Sequence, residues 1–380
     1  MIKKTFRPGS RGISVRNCLV VFQFASSIAL IAGTLIVSDQ VNFMLNKDPG
    51  FNKEQVMVIS NGNSLGESFS TFKEELKKNP AVISVAGSGQ YPTQATHSAG
   101  LAVLGSGTTV QMYNTGIGYD FIETLDLELI RGNSFTRGMA SDSNGVILNE
   151  TAVNILGLAE PVGTLLGTFR TSIVVGVVKN YNFRSLHHDI GPLILFNSRD
   201  RSAAFISVRI KSEDINSTVS YINSVWDDFT GSVAFDYSFM EEDIERWYNA
   251  ETKTGQISAI FSILAISIGC LGLFGLAAFI SEQRTKEIGV RKVIGASTGN
   301  IIYLLARDFM KLIMISVLIA IPITYFIMNN WLDNFAFRTD ISYFTFMVAG
   351  GLTLLIAMLT VSFQVTKAAN YNPADTLKYE

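Results

Sequence analysis

The sequence contains few of the residues on which a disulfide-stapled or metal-binding protein depends. Among 380 residues there are only two cysteines and three histidines. Cys18 and Cys270 both fall within apolar runs, which excludes a disulfide framework in a water-exposed domain. His187 and His188 are adjacent, and adjacent side chains on a regular element do not converge on one ion. We therefore expect no metal site.

Motifs for nucleotide and metalloprotease chemistry are also missing. The sequence has no GxxxxGK[ST] phosphate-binding loop and no HExxH. No nucleophile can be paired with a base on the basis of the sequence. We therefore expect that the chain is not an enzyme and binds no cofactor itself.

Charge is scarce and unevenly distributed. Charged residues make up 16% of the sequence and hydrophobic residues 48%, which is too apolar for an ordinary soluble domain. Residues 39–250 carry 24 acidic and 15 basic side chains, a net charge of -9, whereas the rest carries 8 and 15, a net charge of +7. The basic residues lie beside apolar runs, where membrane topology explains them, so we expect no nucleic-acid partner.

Four apolar runs are long enough to cross a lipid bilayer. We predict an α-helical membrane protein with four transmembrane helices plus an α+β extracytoplasmic domain. The predicted order is an N-terminal segment (1–17), helix 1 (18–38), the large domain with stalk helices (39–255), helix 2 (256–280), a loop (281–307), helix 3 (308–328), an outer loop (329–342), helix 4 (343–365) and a tail (366–380). Because the loop 281–307 is rich in Lys and Arg, we place it and both termini in the cytoplasm.

The large domain alternates between strand and helix patterns, which favours small α+β subdomains. Strands are predicted at 54–60, 81–85, 145–149, 173–178, 204–210 and 232–237, and helices at 68–79, 150–156 and 215–229. Residues 86–107 are rich in Gly and Ser, which predicts a long surface loop.

A second stalk is predicted where the domain returns to the membrane. Ser238 precedes Glu241 by three residues, the spacing of a capping box, and Glu241, Glu242 and Asp243 suit the positive end of a helix dipole. No helix stop follows. We therefore predict one uninterrupted helix from about Phe239 into the second transmembrane run.

Small residues recur on one stripe of the second transmembrane helix: Ser258, Ser262, Ala265, Gly269 and Gly272. Such stripes let transmembrane helices approach closely. The stripe suits either a contact between two permease halves or packing within this chain's own helices.

The third run contains Pro322, which predicts a kink. In the following outer loop, Trp331 and Phe335 suit a membrane interface, where aromatic side chains are enriched.

The charged segment between the second and third runs carries the most specific motif. Gln283–Ser297 reads QRTKEIGVRKVIGAS and resembles the signature loop of FtsX-like ABC transporter permeases. Ala368–Leu377 resembles their C-terminal AxxxxPxxxL pattern. Asn149–Gly157 and Val174–His187 resemble parts of the MacB-like periplasmic core domain. A simple topogenic charge cluster is the alternative for the loop.

The resemblance implies that a separate cytoplasmic ATPase binds ATP and contacts the loop, and that its motion reaches the outer domain. The implied ATPase-coupling residues are Arg284, Lys286, Glu287, Ile288, Gly289, Val290, Arg291, Lys292, Val293, Gly295 and Ala296, with Ile294 as a further apolar contact. A second permease copy or half and membrane lipid are the other expected partners, in a bacterial inner membrane. The alternative function is a non-transporting, FtsX-like regulator or scaffold of an envelope enzyme.

Overall fold

The computed structural model describes residues 10–103, 109–138, 144–167, 171–200, 203–231, 233–283, 294 and 298–369. The chain divides into two units. A helical unit comprises Met1–Phe43, Ala250–Asn334 and Arg338–Glu380, and a mixed α/β unit comprises Met44–Asn249 and Phe335–Phe337.

The described residues contain nine α-helices: α1 (Ser10–Asn46), α2 (Phe69–Leu76), α3 (Phe121–Thr124), α4 (Glu150–Leu156), α5 (Ile215–Thr230), α6 (Met240–Trp247), α7 (Asn249–Gln283), α8 (Thr298–Leu332) and α9 (Tyr343–Ala369). A 3-10 helix covers Gly62–Ser68. The eleven strands in the same residues are β1 (Val56–Ile59), β2 (Val82–Ser88), β3 (Ser98–Val103), β4 (Thr109–Ile117), β5 (Leu129–Gly132), β6 (Gly145–Asn149), β7 (Leu165–Gly167), β8 (Thr171–Val178), β9 (Leu193–Asn197), β10 (Phe205–Ile210) and β11 (Tyr237–Phe239).

Within the described residues, four helices have the length and apolar composition needed to cross a membrane. They are Asn17–Asn46, Asn249–Ile280, Phe309–Leu332 and Tyr343–Gln364. Helix α1 continues to Asn46, which fits either a stalk or a cap of the helix at the membrane interface. The chain then turns at Asp48, whose Oδ1 accepts a hydrogen bond from the Gly50 N–H at 2.8 Å. Pro322 lies inside α8; the kink there stays a prediction.

The helical unit has its own apolar core, to which all four long helices contribute. Phe24 of α1, Leu273 of α7, Ile313 of α8 and Ala357 of α9 are buried in one cluster. The opposite faces carry exposed apolar side chains, including Leu264, Ile268, Leu318, Phe326 and Leu359. Exposed apolar surface of this extent is typical of a membrane-contacting face.

A single sheet of eleven strands organises the described part of the α/β unit, in the order β11-β1-β10-β2-β4-β3-β7-β8-β6-β9, with β5 on β8. A parallel pairing of β4 with β9, from Tyr113 opposite Leu193 to Ile117 opposite Asn197, closes six of these strands into a ring. The sheet portion β11-β1-β10-β2 is antiparallel.

Helices α2 and α5 belong to the core of the antiparallel portion. Phe69, Phe72 and Leu76 lie on one face of α2, within the helix predicted at 68–79, and all three are fully buried. The Phe72 ring meets the indole of Trp226 on α5 edge to face, with ring centroids 5.9 Å apart. Edge-to-face pairs of this kind add to the burial energy of the two side chains.

The prediction of a long surface loop at 86–107 is wrong in two places. Strand β2 continues to Ser88, paired with β10, and β3 occupies Ser98–Val103. The small residues are there because the sheet is crowded. A Cβ on Gly87 would lie 2.5 Å from the Ala203 side chain and 2.9 Å from the Phe69 ring.

The strand predicted at 232–237 is also wrong over most of its length, because β11 covers only Tyr237–Phe239. Residue 232 lies outside the described residues. Val233 and Phe235 instead pack on the core: the indole N–H of Trp226 donates to the Val233 carbonyl at 2.9 Å, and the Phe235 ring lies 6.1 Å from the indole. Apolar side chains there satisfy core packing without strand pairing.

Two details of the predicted second stalk are corrected. Phe239, not Ser238, is the N-cap of α6, and it makes no side-chain capping bond; the Ser238 hydroxyl donates to the Asp243 carboxylate instead. The acidic first turn is as predicted. The helix is not continuous, because Tyr248 leaves helical geometry (φ -104°, ψ 13°) between α6 and α7.

Candidate functional site

The predicted ATPase-coupling residues lie outside the described residues. These are Arg284, Lys286, Glu287, Ile288, Gly289, Val290, Arg291, Lys292, Val293, Gly295 and Ala296. Helix α7 ends at Gln283 and α8 begins at Thr298, so the segment connects two candidate membrane spans. Ile294, the described residue of this segment, is 79% exposed, as a side chain that contacts another protein must be in the free chain.

The small-residue stripe of α7 packs against α1 of the same chain. The hydroxyl oxygens of Ser262 and Thr34 lie 3.4 Å apart. An ideal Cβ on Gly269 would be 3.6 Å from the Phe24 ring, an ordinary van der Waals contact, so the site has room for a methyl group and little more. Ser258 and Ala265 are half-buried and Gly272 is exposed. The contacts correspond to the within-chain alternative for this stripe.

The α/β unit holds Tyr248 in a small aromatic cluster, which we call the Tyr248 joint (Leu186, His187, Tyr248, Phe335 and Phe337). The His187 ring stacks on Tyr248, with ring centroids 6.0 Å apart. The same imidazole also packs against the Phe335 ring, with centroids 4.5 Å apart. Tyr248 is 2% exposed and Phe335 5%. The break between α6 and α7 thus falls at a residue whose ring is buried against His187.

Hydrogen bonds fix the joint as well. The Leu186 N–H donates to the Tyr248 hydroxyl at 3.1 Å, and the Phe337 N–H donates to the Leu186 carbonyl at 3.3 Å. The assignment of Phe335 to a membrane interface is therefore wrong, because its ring is buried in the α/β unit. The sequence pattern around His187 and Phe335 contains no signal that could bring them together.

Besides the contacts of Tyr248 at its C-terminal end, helix α6 is hydrogen-bonded to the rest of the α/β unit through Asp243, near its N-terminal end. Its carboxylate accepts from the Tyr91 and Ser238 hydroxyls and, at 3.0 Å, from the Arg246 guanidinium. Burial, together with the bond to Asp243, raises the pKa of Tyr91 well above its ordinary value. Tyr91 therefore remains a neutral donor at physiological pH. Both ends of α6 are anchored by side-chain hydroxyls.

The two stretches that resemble the MacB-like core meet in the structure. Asn149 caps α4 by accepting from the Ala152 N–H at 3.0 Å, and its buried side chain also accepts from the Leu193 N–H at 2.8 Å. The Asn180 side chain accepts from the Thr151 N–H at 3.1 Å. These contacts give the asparagines of both stretches a structural role.

A buried network of ion pairs joins α2 to the segments that follow β4 and β9, two strands of the ring. Lys73 is fully buried, and its Nζ lies 3.0 Å from Asp200 and 3.1 Å from Asp120. Arg137 adds a contact of 3.0 Å to Asp200. The charge of buried Asp200 is thus shared between two cations, as a buried carboxylate requires.

One motif that sequence reasoning overlooked has the GxSxG spacing, at Gly62–Gly66 between β1 and α2. Ser64 lies in the 3-10 helix and donates to the Asn61 carbonyl at 2.8 Å. Its hydroxyl has no histidine partner in the described residues. The described residues also contain no group of three or more potential metal ligands.

The long apolar helices and the separate α/β unit together define an α-helical membrane protein with a folded domain outside the bilayer. Residues 259–373 match the family described as FtsX-like permease C-terminal. That range covers helices from within α7 through α9 and includes the predicted coupling loop.

Full-length relatives agree with this match. The macrolide export ATP-binding/permease protein MacB of Aggregatibacter actinomycetemcomitans is 30% identical over 264 residues, which cover 65% of this chain and 40% of that protein. The uncharacterized ABC transporter permease YknZ of Bacillus subtilis is 24% identical over 293 residues, covering 70% of this chain and 69% of YknZ. The chain thus spans less than half of the length of that MacB relative.

Among solved structures, the periplasmic region of MacB from Actinobacillus actinomycetemcomitans matches with a TM-score of 0.40 and 21% identity, over 54% of this chain and 98% of that one. The extracellular domain of YknZ matches with a TM-score of 0.37 and 14% identity, over 48% and 97%. The resemblance predicted from the sequence is confirmed: the chain is similar to FtsX-like and MacB-like ABC transporter permeases.

Proposed function

We propose that this chain is the permease part of an ABC transporter and transmits ATP-driven motion from a cytoplasmic ATPase to the α/β unit on the other side of the membrane. The motion would act on an extracytoplasmic client such as a peptide, a lipoprotein or an efflux partner. In this proposal the membrane is a bacterial inner membrane, both termini are cytoplasmic, and a second permease copy or half completes the transporter.

The observation that carries the proposal is the connection at Tyr248. Helix α6 belongs to the α/β unit and α7 to the helical unit, and Tyr248 is the one residue between them. The predicted coupling loop begins where α7 ends, after Gln283. A displacement of α7 along its axis would therefore act on the α/β unit at a residue that is buried and hydrogen-bonded.

The similarities support an ATPase partner for this chain. The MacB relatives are named ATP-binding/permease proteins, whereas this sequence has no phosphate-binding loop. We infer that the ATP-binding function lies outside the present sequence and meets it at residues 284–296. Arg291 and Lys292 would supply polar contacts, and Gly289 and Gly295 the close approach.

The proposal is tested by reversing two charges in the loop. Glu287→Arg combined with Arg291→Glu should abolish vanadate-sensitive ATPase activity that co-purifies with the tagged chain from its native membranes. The matched control is Glu213→Arg with Lys211→Glu, a reversal at two exposed positions of the α/β unit. Both variants must reach the membrane at the wild-type level. Co-purifying activity that survives the loop reversal would remove the coupling mechanism.

A further inference from the structure

The α/β unit contains a cleft of about 360 Å³ that belongs to neither anchor of α6 described above. Its walls come from the segment around Thr93 and Thr96, from Arg184, Ser185 and His188, and from Trp247 at the end of α6. This volume lies at the lower end of the range for small-ligand pockets. The cleft therefore has room for one amino-acid-sized group between α6 and two loops.

Arg184 gives the cleft a fixed positive charge. Its guanidinium donates to the Tyr113 hydroxyl and lies over the Tyr113 ring, 4.7 Å from the centroid. Within the described residues it forms no ion pair with a carboxylate. Tyr113 thus holds the Arg184 cation in place without neutralising its charge. By contrast, Lys179, which lines a larger cleft, is paired with Glu128 at 2.7 Å.

The hydroxyls of the lining residues are not free donors for a ligand. Thr96 Oγ1 donates to Gln90 Oε1 at 3.2 Å, and Ser185 Oγ lies 2.7 Å from His187 Nδ1. The Thr93 hydroxyl is fully buried and does not reach the open space of the cleft. The donor that can pair with an anion is therefore the Arg184 guanidinium, and guanidinium groups bind both carboxylates and phosphates.

The net charge of the cleft favours a monoanion. Burial, followed by the charges of Arg184 and His187, holds the pKa of His188 below its ordinary value, so this ring is neutral at physiological pH. One guanidinium then remains as the permanent charge among the lining residues. A carboxylate carries one matching charge, whereas a phosphate monoester carries nearly two at this pH.

We propose that this cleft binds a carboxylate-bearing ligand whose apolar or aromatic body packs against Trp247, with Arg184 as the group that pairs with the carboxylate. The Ser185 hydroxyl lies 2.7 Å from His187 Nδ1, so the cleft adjoins the Tyr248 joint. The idea that this ligand is part of the client on which the transporter acts rests on the proposed function. The client would then contact α6 directly beside the residue that links it to α7.

The test uses three probes. N-acetyl-4-fluorophenylalanine and its carboxamide differ only in the carboxylate, and 4-fluorophenyl phosphate carries a phosphate instead. Binding to the full chain in lipid nanodiscs is measured by ¹⁹F NMR titration, with empty nanodiscs as the reference for partitioning. The acid should bind and the amide should bind at least about tenfold more weakly, the lower bound for loss of a charge-assisted hydrogen bond. 4-Fluorophenyl phosphate should bind more weakly than the acid.

Arg184→Gln should reduce binding of the acid by roughly tenfold to a hundredfold, and Arg184→Lys should retain part of it. Arg131→Gln, at a half-exposed arginine on β5, is the control and should leave binding unchanged. An unaltered thermal midpoint of each variant shows that the fold is intact. Equal binding of acid and amide, tighter binding of the phosphate, absence of binding, or unchanged binding by Arg184→Gln would each overturn the proposal. No ATPase is present, so failure here is distinct from failure of coupling.

Discussion

Removing one hydroxyl from the Tyr248 joint is a sharp perturbation, because Tyr248→Phe keeps the ring and its stacking on His187. The lost group is the acceptor for the Leu186 N–H, at 3.1 Å. Leu186 is 5% exposed, so water does not readily replace the hydroxyl. A buried donor left without an acceptor costs about 1–3 kcal/mol, which corresponds to roughly a 5- to 150-fold change in a local equilibrium.

Hydrogen exchange of the full-length protein in nanodiscs measures this change at the residue concerned. Amides in buried, bonded segments exchange through local opening, and the rate reports the opening free energy. In Tyr248→Phe we expect peptides spanning residues 181–190 to lose protection by a factor in that range, with the main change at the Leu186 amide. Segments of the antiparallel sheet portion, such as β1 and β10, should exchange as in the wild type.

Tyr237→Phe is the matched control. Tyr237 is 40% exposed on β11, and within the described residues its hydroxyl makes no hydrogen bond. It should leave exchange of residues 181–190 unaltered. An exchange rate at Leu186 that does not change in Tyr248→Phe, or that changes equally in Tyr237→Phe, would refute the argument that this hydroxyl holds the joint closed.

Two further substitutions test packing in each unit. Lys73→Met leaves the buried Asp200 carboxylate with Arg137 and the Tyr119 N–H as partners. We expect a loss of about 3 kcal/mol, the low end for breaking a buried pair, in chemical denaturation followed by near-ultraviolet circular dichroism. Lys77→Met, at a partly exposed position, should cost under about 1 kcal/mol, and equal losses would contradict the assigned burial. Gly269→Leu should force apart helices α1 and α7 at a cost of about 1–3 kcal/mol, seen as a lower thermal midpoint. At the control position, Gly275, which is exposed, an added Cβ would meet no atom within 4 Å, so Gly275→Leu should have no effect. Equal effects of the two substitutions would exclude close packing at Gly269.

Elements whose pattern is local were predictable from the sequence. The apolar run Gly145–Asn149 is strand β6, and the following residues Glu150–Leu156 form α4 with Asn149 as the cap. The long apolar runs are helices for the same reason, since a bilayer requires about 20 such residues in succession. In each case the residues that decide the structure are neighbours in the chain.

Features that depend on distant residues were not predictable. The β4–β9 pairing that closes the strand ring joins segments about eighty positions apart, and no local pattern specifies its register. At the break, Tyr248 stacks on His187, which also contacts Phe335, and these three residues are far apart in the sequence. Judged from its sequence neighbours, Phe335 resembles a membrane-interface residue, because the residue that it packs against, His187, lies far away in the sequence.

The central claim is that nucleotide-driven motion of α7 reaches the α/β unit through Tyr248. The most direct measurement is hydrogen exchange of residues 181–190 in the complex with its ATPase, compared between the nucleotide-free and the ATP-vanadate-trapped forms. We expect protection of the Leu186 amide to differ between the two forms, and the difference to vanish in the Glu287→Arg, Arg291→Glu variant. Identical exchange in both forms, while the ATPase remains bound and hydrolyses ATP, would contradict the claim.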